Sequence, residues 1–205
     1  MIVEVDGLKQ YVEFLSKGLV GVEAKTGKLL WRYGKTAQGS PANIPTPVIQ
    51  QPFVYSATNK GGAGLVEIKV SGSTVAVDEV YSTPKLPTAI GGAVLLDGKL
   101  YGTNGQGLLC ADLKTGDIKW QERGVGVGSL CFADGRLYVH GENGDVALVE
   151  ATPEGYREKG RFTPPEVPKK GPGKAWAYPV IAGGKLYLRD MGTLWCYDVK
   201  ESVQK

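Results

Sequence analysis

Histidine is nearly absent: His140 is the only one in 205 residues, so a histidine-rich metal site has no second imidazole to draw on. Cysteine is scarce as well. Cys110, Cys131 and Cys196 lie far apart, with no adjacent pair and no metal-ligand spacing, which argues against a disulfide framework or a zinc ribbon and leaves the compartment unread. No apolar run approaches the ~18 residues that a membrane-spanning helix needs. The first residues, Met1-Ile2-Val3-Glu4-Val5-Asp6, put acids where a secretory signal requires an apolar stretch, so no signal peptide is expected here. Neither sign of charge dominates: 24 Lys and Arg against 21 Asp and Glu leave +3, which excludes a nucleic-acid or membrane-surface binder driven by bulk charge. P-loop, dinucleotide and nucleophile-elbow motifs are missing. Gly61-Gly62-Ala63-Gly64 and Gly124-Val125-Gly126-Val127-Gly128 follow no strand-to-helix pattern and read as wide loops. No window sustains a capped 3.6-residue period, so essentially no helix is expected.

What the chain has in excess is glycine, 30 residues, alongside 12 prolines. That glycine share is about twice the usual one and points to many short elements joined by tight turns. Internal repetition carries the strongest signal. Short strands with an aromatic mark recur at Tyr11, Tyr55, Tyr101, Tyr138 and Tyr187, separated by 44, 46, 37 and 49 residues. Each mark is followed after 12, 12, 11, 12 and 11 positions by an acid: Glu23, Glu67, Asp112, Glu150 and Asp198. Spacing inside the unit barely moves, while the stretches between units absorb the variation.

Each unit reads as four short strands, A to D. In the third, A is Ala93–Leu96, B starts at Lys99-Leu100-Tyr101, C is Leu108–Asp112 and D is Asp117–Gln121. Asp97-Gly98 and Asn104-Gly105 read as two-residue hairpin turns, as do Asp134-Gly135 and Asn143-Gly144 in the fourth unit and Gly183-Gly184 in the fifth, because both central residues must tolerate positive φ. Four-stranded meanders of this length are β-propeller blades, which bury their faces only by stacking. The fold expected is therefore all-β: one propeller over residues 1–205 with about four and a half to five four-stranded antiparallel blades, at 2–34, 46–82, 91–124, 127–163 and 177–199, the last lacking strand D.

Two units share a tighter motif: Gly21-Val22-Glu23-Ala24-Lys25-Thr26-Gly27-Lys28-Leu29-Leu30-Trp31 and Cys110-Ala111-Asp112-Leu113-Lys114-Thr115-Gly116-Asp117-Ile118-Lys119-Trp120. This resembles the repeat of the pyrroloquinoline-quinone-like (PQQ-like) β-propellers, and the other three units carry degenerate versions. The motif residues Glu23, Thr26, Gly27, Trp31, Asp112, Thr115, Gly116 and Trp120 read as structural. Thr-Gly makes the C–D turn, the acid holds turn amides, and the tryptophan docks between blades.

The resemblance implies rings of seven or eight blades, so the chain is expected to be the C-terminal half of a longer propeller; a closed five-bladed ring is the alternative. It also implies bacterial, periplasmic or secreted relatives. In the family's quinone enzymes the cofactor sits on the axis with calcium, held by acidic and amide side chains, beside a vicinal cysteine disulfide and a catalytic Asp. Here no cysteines are adjacent and no such cluster is evident, so no cofactor is expected, with PQQ and calcium as the alternative.

In an up-and-down meander the B–C turns and the D-to-A connections share one rim, where ligands are expected. Candidates there are Asn43, Asn104, His140, Glu142, Lys174, Trp176 and Arg189, joined by Asn59, Lys60, Gln106, Asn143, Ser129 and Asp190. The proline-rich, basic stretch 163–176, ending in Lys174 and Trp176, is expected to form part of a binding surface or to serve as a spacer. The function expected is a non-catalytic binding or scaffolding module. It would take a protein or polymer partner through the rim or exposed blade faces, with self-association through open ends, no nucleic acid and no membrane insertion. The alternatives are part of a quinone-dependent (PQQ) alcohol-dehydrogenase-like oxidoreductase and a glycan- or polymer-binding propeller.

Overall fold

The computed structural model describes residues 1–39, 42–166 and 174–200. Among them run nineteen strands in five antiparallel sheets, each a meander in chain order. The first sheet holds β1 (Ile2–Val5), β2 (Leu8–Leu15), β3 (Gly18–Glu23) and β4 (Leu29–Tyr33). The second holds β5 (Val48–Gln50), β6 (Phe53–Thr58), β7 (Gly62–Ser71) and β8 (Thr74–Thr83). The third holds β9 (Ala93–Leu96), β10 (Lys99–Asn104), β11 (Gly107–Asp112) and β12 (Ile118–Glu122). The fourth holds β13 (Gly128–Ala133), β14 (Arg136–Gly141), β15 (Val146–Glu150) and β16 (Glu158–Phe162), and the fifth has three strands, β17 (Val180–Ala182), β18 (Lys185–Asp190) and β19 (Thr193–Asp198). One 3₁₀ turn, Lys35–Ala37, is the sole helical element among the described residues.

The core lies between consecutive sheets. Strand alternation sends successive side chains to opposite neighbours. Val54 packs towards the first sheet and Tyr55 towards the third; Leu100 packs towards the second and Tyr101 towards the fourth; Leu137 and Tyr138 repeat this between the third and fifth sheets. The middle strands are therefore buried on both faces, as β6, β10 and β11 show, while the D strands β12 and β16 are largely exposed.

Register corrects one mark of the repeat. In the second to fifth sheets the acid pairs with the residue two before the tyrosine: Phe53 with Glu67, Lys99 with Asp112, Arg136 with Glu150 and Lys185 with Asp198. In the first, Glu23 pairs with Gln10, so Val12 and not Tyr11 holds the marker position. A one-residue slip turns a side chain to the other face. Accordingly Val12 is fully buried against the second sheet, and Tyr11 is 46% exposed. Counted from Val12 the interval is 11, and the pattern becomes physical. Two-residue B–C turns, as between Leu15 and Gly18 or Asn104 and Gly107, give 11, and the longer turn between Thr58 and Gly62 gives 12.

Three A–B turns behave as their sequence predicts: Asp97-Gly98, Asp134-Gly135 and Gly183-Gly184 have both φ values positive, the type I′ signature, and Asp6-Gly7 does the same. The two Asn-Gly steps differ. Asn104 is the last residue of β10, the turn is Gly105-Gln106, and Gly107 takes the positive φ of 130°. Its side chain explains the shift: Nδ2 donates to the Lys85 carbonyl (2.8 Å), and Oδ1 accepts from the Gln106 amide (2.9 Å) and from Gln121 Nε2 (2.8 Å). Asn143 lies inside a wider turn closed by the Gly141 amide on the Asp145 carbonyl (2.8 Å), and only Gly144 has positive φ.

The motif residues build the C–D turn and the joint to the next sheet. Asp112 Oδ1 accepts the amides of Lys114 (2.9 Å) and Thr115 (3.1 Å), while Lys99 on the neighbouring strand bonds Oδ2 at 2.8 Å. The longer Glu23 reaches the Thr26 hydroxyl instead, and Thr26 Oγ1 accepts the Lys28 amide (3.2 Å). Gly27 and Gly116 take φ of 74° and 75°. Trp31 lies across Gly21, packs with Val54, Val66 and Ile68 of the second sheet, and donates Nε1–H to Gln10 Oε1 (2.7 Å). Trp120 crosses to the fourth sheet, donating to the Thr152 carbonyl (2.7 Å) with its ring 5.9 Å from Tyr156. In every four-stranded sheet the C–D ladder bulges just before the acid, between Gly21 and Val22, Leu65 and Val66, Cys110 and Ala111, or Leu148 and Val149.

Candidate rim binding site

The B–C turns and the D-to-A connections meet on one rim and enclose a cavity of about 500 Å³. Connections contribute Ile44, Pro45, Ala89, Ile90, Val127 and Trp176; B–C turns contribute Asn59, Lys60, Gly105 and Glu142. The volume falls in the range of small-ligand pockets, and the wall is mostly apolar with a few charged groups at fixed points.

Those charged groups are ordered by Glu142. Lys174 Nζ lies 2.6 Å from its Oε2, Trp176 Nε1 donates to Oε1 at 3.0 Å, and the Ala175 amide donates to its backbone carbonyl at 3.1 Å. Ser129 Oγ then holds the Trp176 carbonyl at 2.9 Å, and Tyr178 donates to the Ile90 carbonyl at 3.1 Å. Residues 174–178 thus form a strap from the fourth sheet across to the connection between the second and third, with burial pushing the Tyr178 phenol above its ordinary value. The strap leaves Trp176 49% exposed. Neighbouring turns are fixed too: Thr58 Oγ1 donates to the Thr36 carbonyl (2.7 Å) and accepts the Gly61 amide (2.9 Å). A Cβ on Gly61 would stand 2.1 Å from that same carbonyl, so only glycine fits there.

Three of the residues singled out in the sequence, Glu142, Lys174 and Trp176, therefore come together, beside Asn59 and Lys60. Ser129 joins them through the Trp176 carbonyl, and Asn143 borders a neighbouring pocket with Glu142, whereas Asn43, Asn104, His140 and Arg189 lie elsewhere. Asn43 spends its amide on the Leu15 carbonyl at 2.6 Å and borders a second pocket, near Met1 and Glu13, that shares Ile44 and Pro45 with the rim cavity. Asn104 is buried and engaged as described above. His140 is 1% exposed, inside β14 opposite Ser129, and Arg189 is exposed on β18 opposite Leu194; neither lines the cavity. Most of the proline-rich basic stretch, residues 167–173, lies outside the described residues. The apolar wall of Ile44, Pro45, Ala89 and Ile90 went unread in the sequence. The available signal was aliphatic residues on connections that are otherwise polar.

The described residues of this rim offer few donors for the quinone-and-calcium alternative. Hard cations require several oxygen donors. The single carboxylate that the described residues bring to the cavity, Glu142, is already bound by an ammonium and an indole. No group of three or more His, Cys, Asp or Glu side chains gathers at metal-binding distance among the described residues.

Among curated proteins, none matches the chain in sequence. Solved structures match in fold. The chain superposes on BamB from Moraxella catarrhalis with a TM-score of 0.58 at 14% identity, covering 92% of this chain and 53% of that one. It matches the computationally designed Ika8 protein with a TM-score of 0.61 at 10% identity, covering 97% and 57%, and the N-terminal domain of Nup159 with 0.57 at 12%, covering 87% and 49%. The chain thus spans about half the length of these structures. The family model described as outer membrane protein assembly factor BamB, a PQQ-like repeat, matches residues 2–122. With the repeat motif, the stacked four-stranded sheets and that match over more than half its length, the chain belongs to the PQQ-like β-propeller family of the outer membrane protein assembly factor BamB.

Proposed function

We propose that the chain is a non-catalytic, protein-binding propeller segment of the bacterial cell envelope, acting through the rim built around Glu142, Lys174 and Trp176. One observation carries the reading. The rim concentrates apolar surface and an exposed indole on connections from successive blades, while the one carboxylate among its described residues is taken up by the Lys174 ammonium and the Trp176 indole. A rigid stack holds those connections, as expected of a scaffold that recognises a partner without doing chemistry on it. The family's description as an outer membrane protein assembly factor suggests that the partner belongs to that assembly apparatus and that the chain works where the apparatus does. Among the described residues no helix is long and apolar enough to cross a membrane.

The test is interferometry of the purified chain against purified outer membrane protein assembly complex. Binding that falls at least tenfold in the Lys174→Ala/Trp176→Ala double variant supports the reading. Absence of binding, or binding indifferent to both substitutions, rejects it. A thermal upshift with PQQ and Ca²⁺, accompanied by dye reduction, would replace it with the oxidoreductase alternative.

A further inference from the structure

The rim cavity has a charge asymmetry that narrows what it holds. Two ammonium groups, Lys60 and Lys174, flank it, against one carboxylate, Glu142, among the described residues. Glu142 is taken up by Lys174 at 2.6 Å and by the Trp176 indole at 3.0 Å. Lys60 is exposed at the tip of the β6–β7 turn and has no ion-pair partner among the described residues. The same cavity is lined by Ile44, Pro45, Ala89, Ile90 and Val127. The polar groups that remain are few, and the Thr58 hydroxyl already serves the Thr36 carbonyl and the Gly61 amide.

We infer that the cavity binds an extended acidic protein segment in which a large apolar side chain is followed directly by an Asp or Glu, the apolar group entering the aliphatic wall and the carboxylate meeting Lys60. This rests on the protein-binding reading above and specifies its partner. Three physical points select that occupant. A void of about 500 Å³ takes one or two side chains and not a folded surface. The aliphatic wall contributes most by desolvating an aromatic or branched side chain. The uncompensated positive charge selects a neighbouring anion and disfavours a basic segment through like-charge repulsion. A glycan is a poorer complement, because it needs many directed hydrogen bonds, and here the donors are few and partly engaged.

The assay is fluorescence anisotropy at low ionic strength with fluorescein-labelled hexapeptides Gly-Ser-Phe-Asp-Ser-Gly, its Phe-Asn and Ala-Asp counterparts, and its Phe-Lys counterpart. The Phe-Asp peptide is expected to bind about fivefold more tightly than Phe-Asn, the size of one well-placed but solvated ion pair. The Ala-Asp peptide should bind more weakly still. Lys60→Glu should abolish the preference for Phe-Asp over Phe-Lys, and Lys60→Arg should retain it. Equal binding of Phe-Asp and Phe-Asn, no effect of Lys60→Glu, or displacement by chitotetraose but not by unlabelled Phe-Asp peptide would each overturn the inference. If any of these occurs while the assembly complex still binds in a Trp176-dependent way, only the choice of segment fails. If the complex also fails to bind, the protein-binding reading falls with it.

Discussion

Replacing Gly21 with alanine should unseat Trp31 and with it the joint between the first two sheets. The backbone at Gly21 is ordinary extended strand, so the substitution brings no conformational strain of its own. The obstacle is steric: the new Cβ would lie 2.1 Å from Trp31 Nε1 and 2.2 Å from Cε2. The indole must move, yet it is 6% exposed and packed with Val54, Val66 and Ile68. Moving it breaks the 2.7 Å bond to Gln10, itself fully buried, and an abandoned buried polar group costs about 1–3 kcal/mol. Overpacking a filled interior adds about 1–3 kcal/mol. Taken together, Gly21→Ala should cost about 3–5 kcal/mol, or roughly 10 °C in Tm for a chain of this length. Because each repeat in such a stack touches only its neighbours, the loss should show as an early separate transition of the first two sheets. The assay is urea unfolding followed by Trp fluorescence and circular dichroism, run in a cycle with Trp31→Ala. In the double variant the clash no longer exists, so its cost should match Trp31→Ala alone. A Gly21→Ala protein within 1 kcal/mol of wild type, or strict additivity in the cycle, would refute the reasoning.

Further expectations concern the turns, the thiols and the strap. Lys99 bonds to Asp112 and, with the Thr115 and Lys114 amides, holds its carboxyl below the ordinary carboxylate value against a smaller effect of burial. A folded value below the unfolded one (about 3.9) means the stabilisation is present above about pH 4 and is lost as pH falls through the folded value. Asp112→Asn should therefore cost about 1 kcal/mol at pH 7 and progressively less as pH falls below about 4, read by urea midpoints across that range. Gly98→Ala, with φ +74° and open space around its Cβ, should cost about 1 kcal/mol through backbone strain alone, measured the same way. Burial pushes the Cys131 thiol up to about 11 and raises that of Cys110, whereas Cys196 is exposed. Iodoacetamide at pH 8, followed by peptide mass spectrometry, should find Cys196 modified first and Cys110 last. Glu142→Gln should free the strap, raising acrylamide quenching of Trp176 while shifting Tm by less than about 2 °C, since the ion pair and hydrogen bond it weakens are at the surface.

Sequence reasoning reaches the repeat because tight turns and strand alternation are local. Asp97-Gly98 needs two positive φ values, and few residue pairs supply them. It errs where the deciding partner is distant. Tyr11 looks like its four counterparts, but only the pairing of Gln10 with Glu23 shows that Val12 occupies the marker position. Asn104 reads as a turn residue, yet its amide answers to Lys85 and Gln121, neither of which the dipeptide announces. The common rim of Glu142, Lys174 and Trp176 follows from topology alone. Their mutual contact does not, because it joins a B–C turn to a residue more than thirty positions on, and the aliphatic floor beneath them comes from connections with no periodicity to read.

Three ties between consecutive blades share one span. Tyr55 donates to the Pro87 carbonyl, Tyr81 to the Leu113 carbonyl and Trp120 to the Thr152 carbonyl, each 32 residues downstream. An all-β protein ordinarily waits for remote partners, and folds slowly for that reason. Here the third and fourth leaves are clasped by side chains from the leaf synthesised just before each, so for these ties the delay is about three dozen residues of growing chain. Over that stretch assembly can proceed like a zip drawn towards the carboxyl end, each completed tooth presenting the catch for the next.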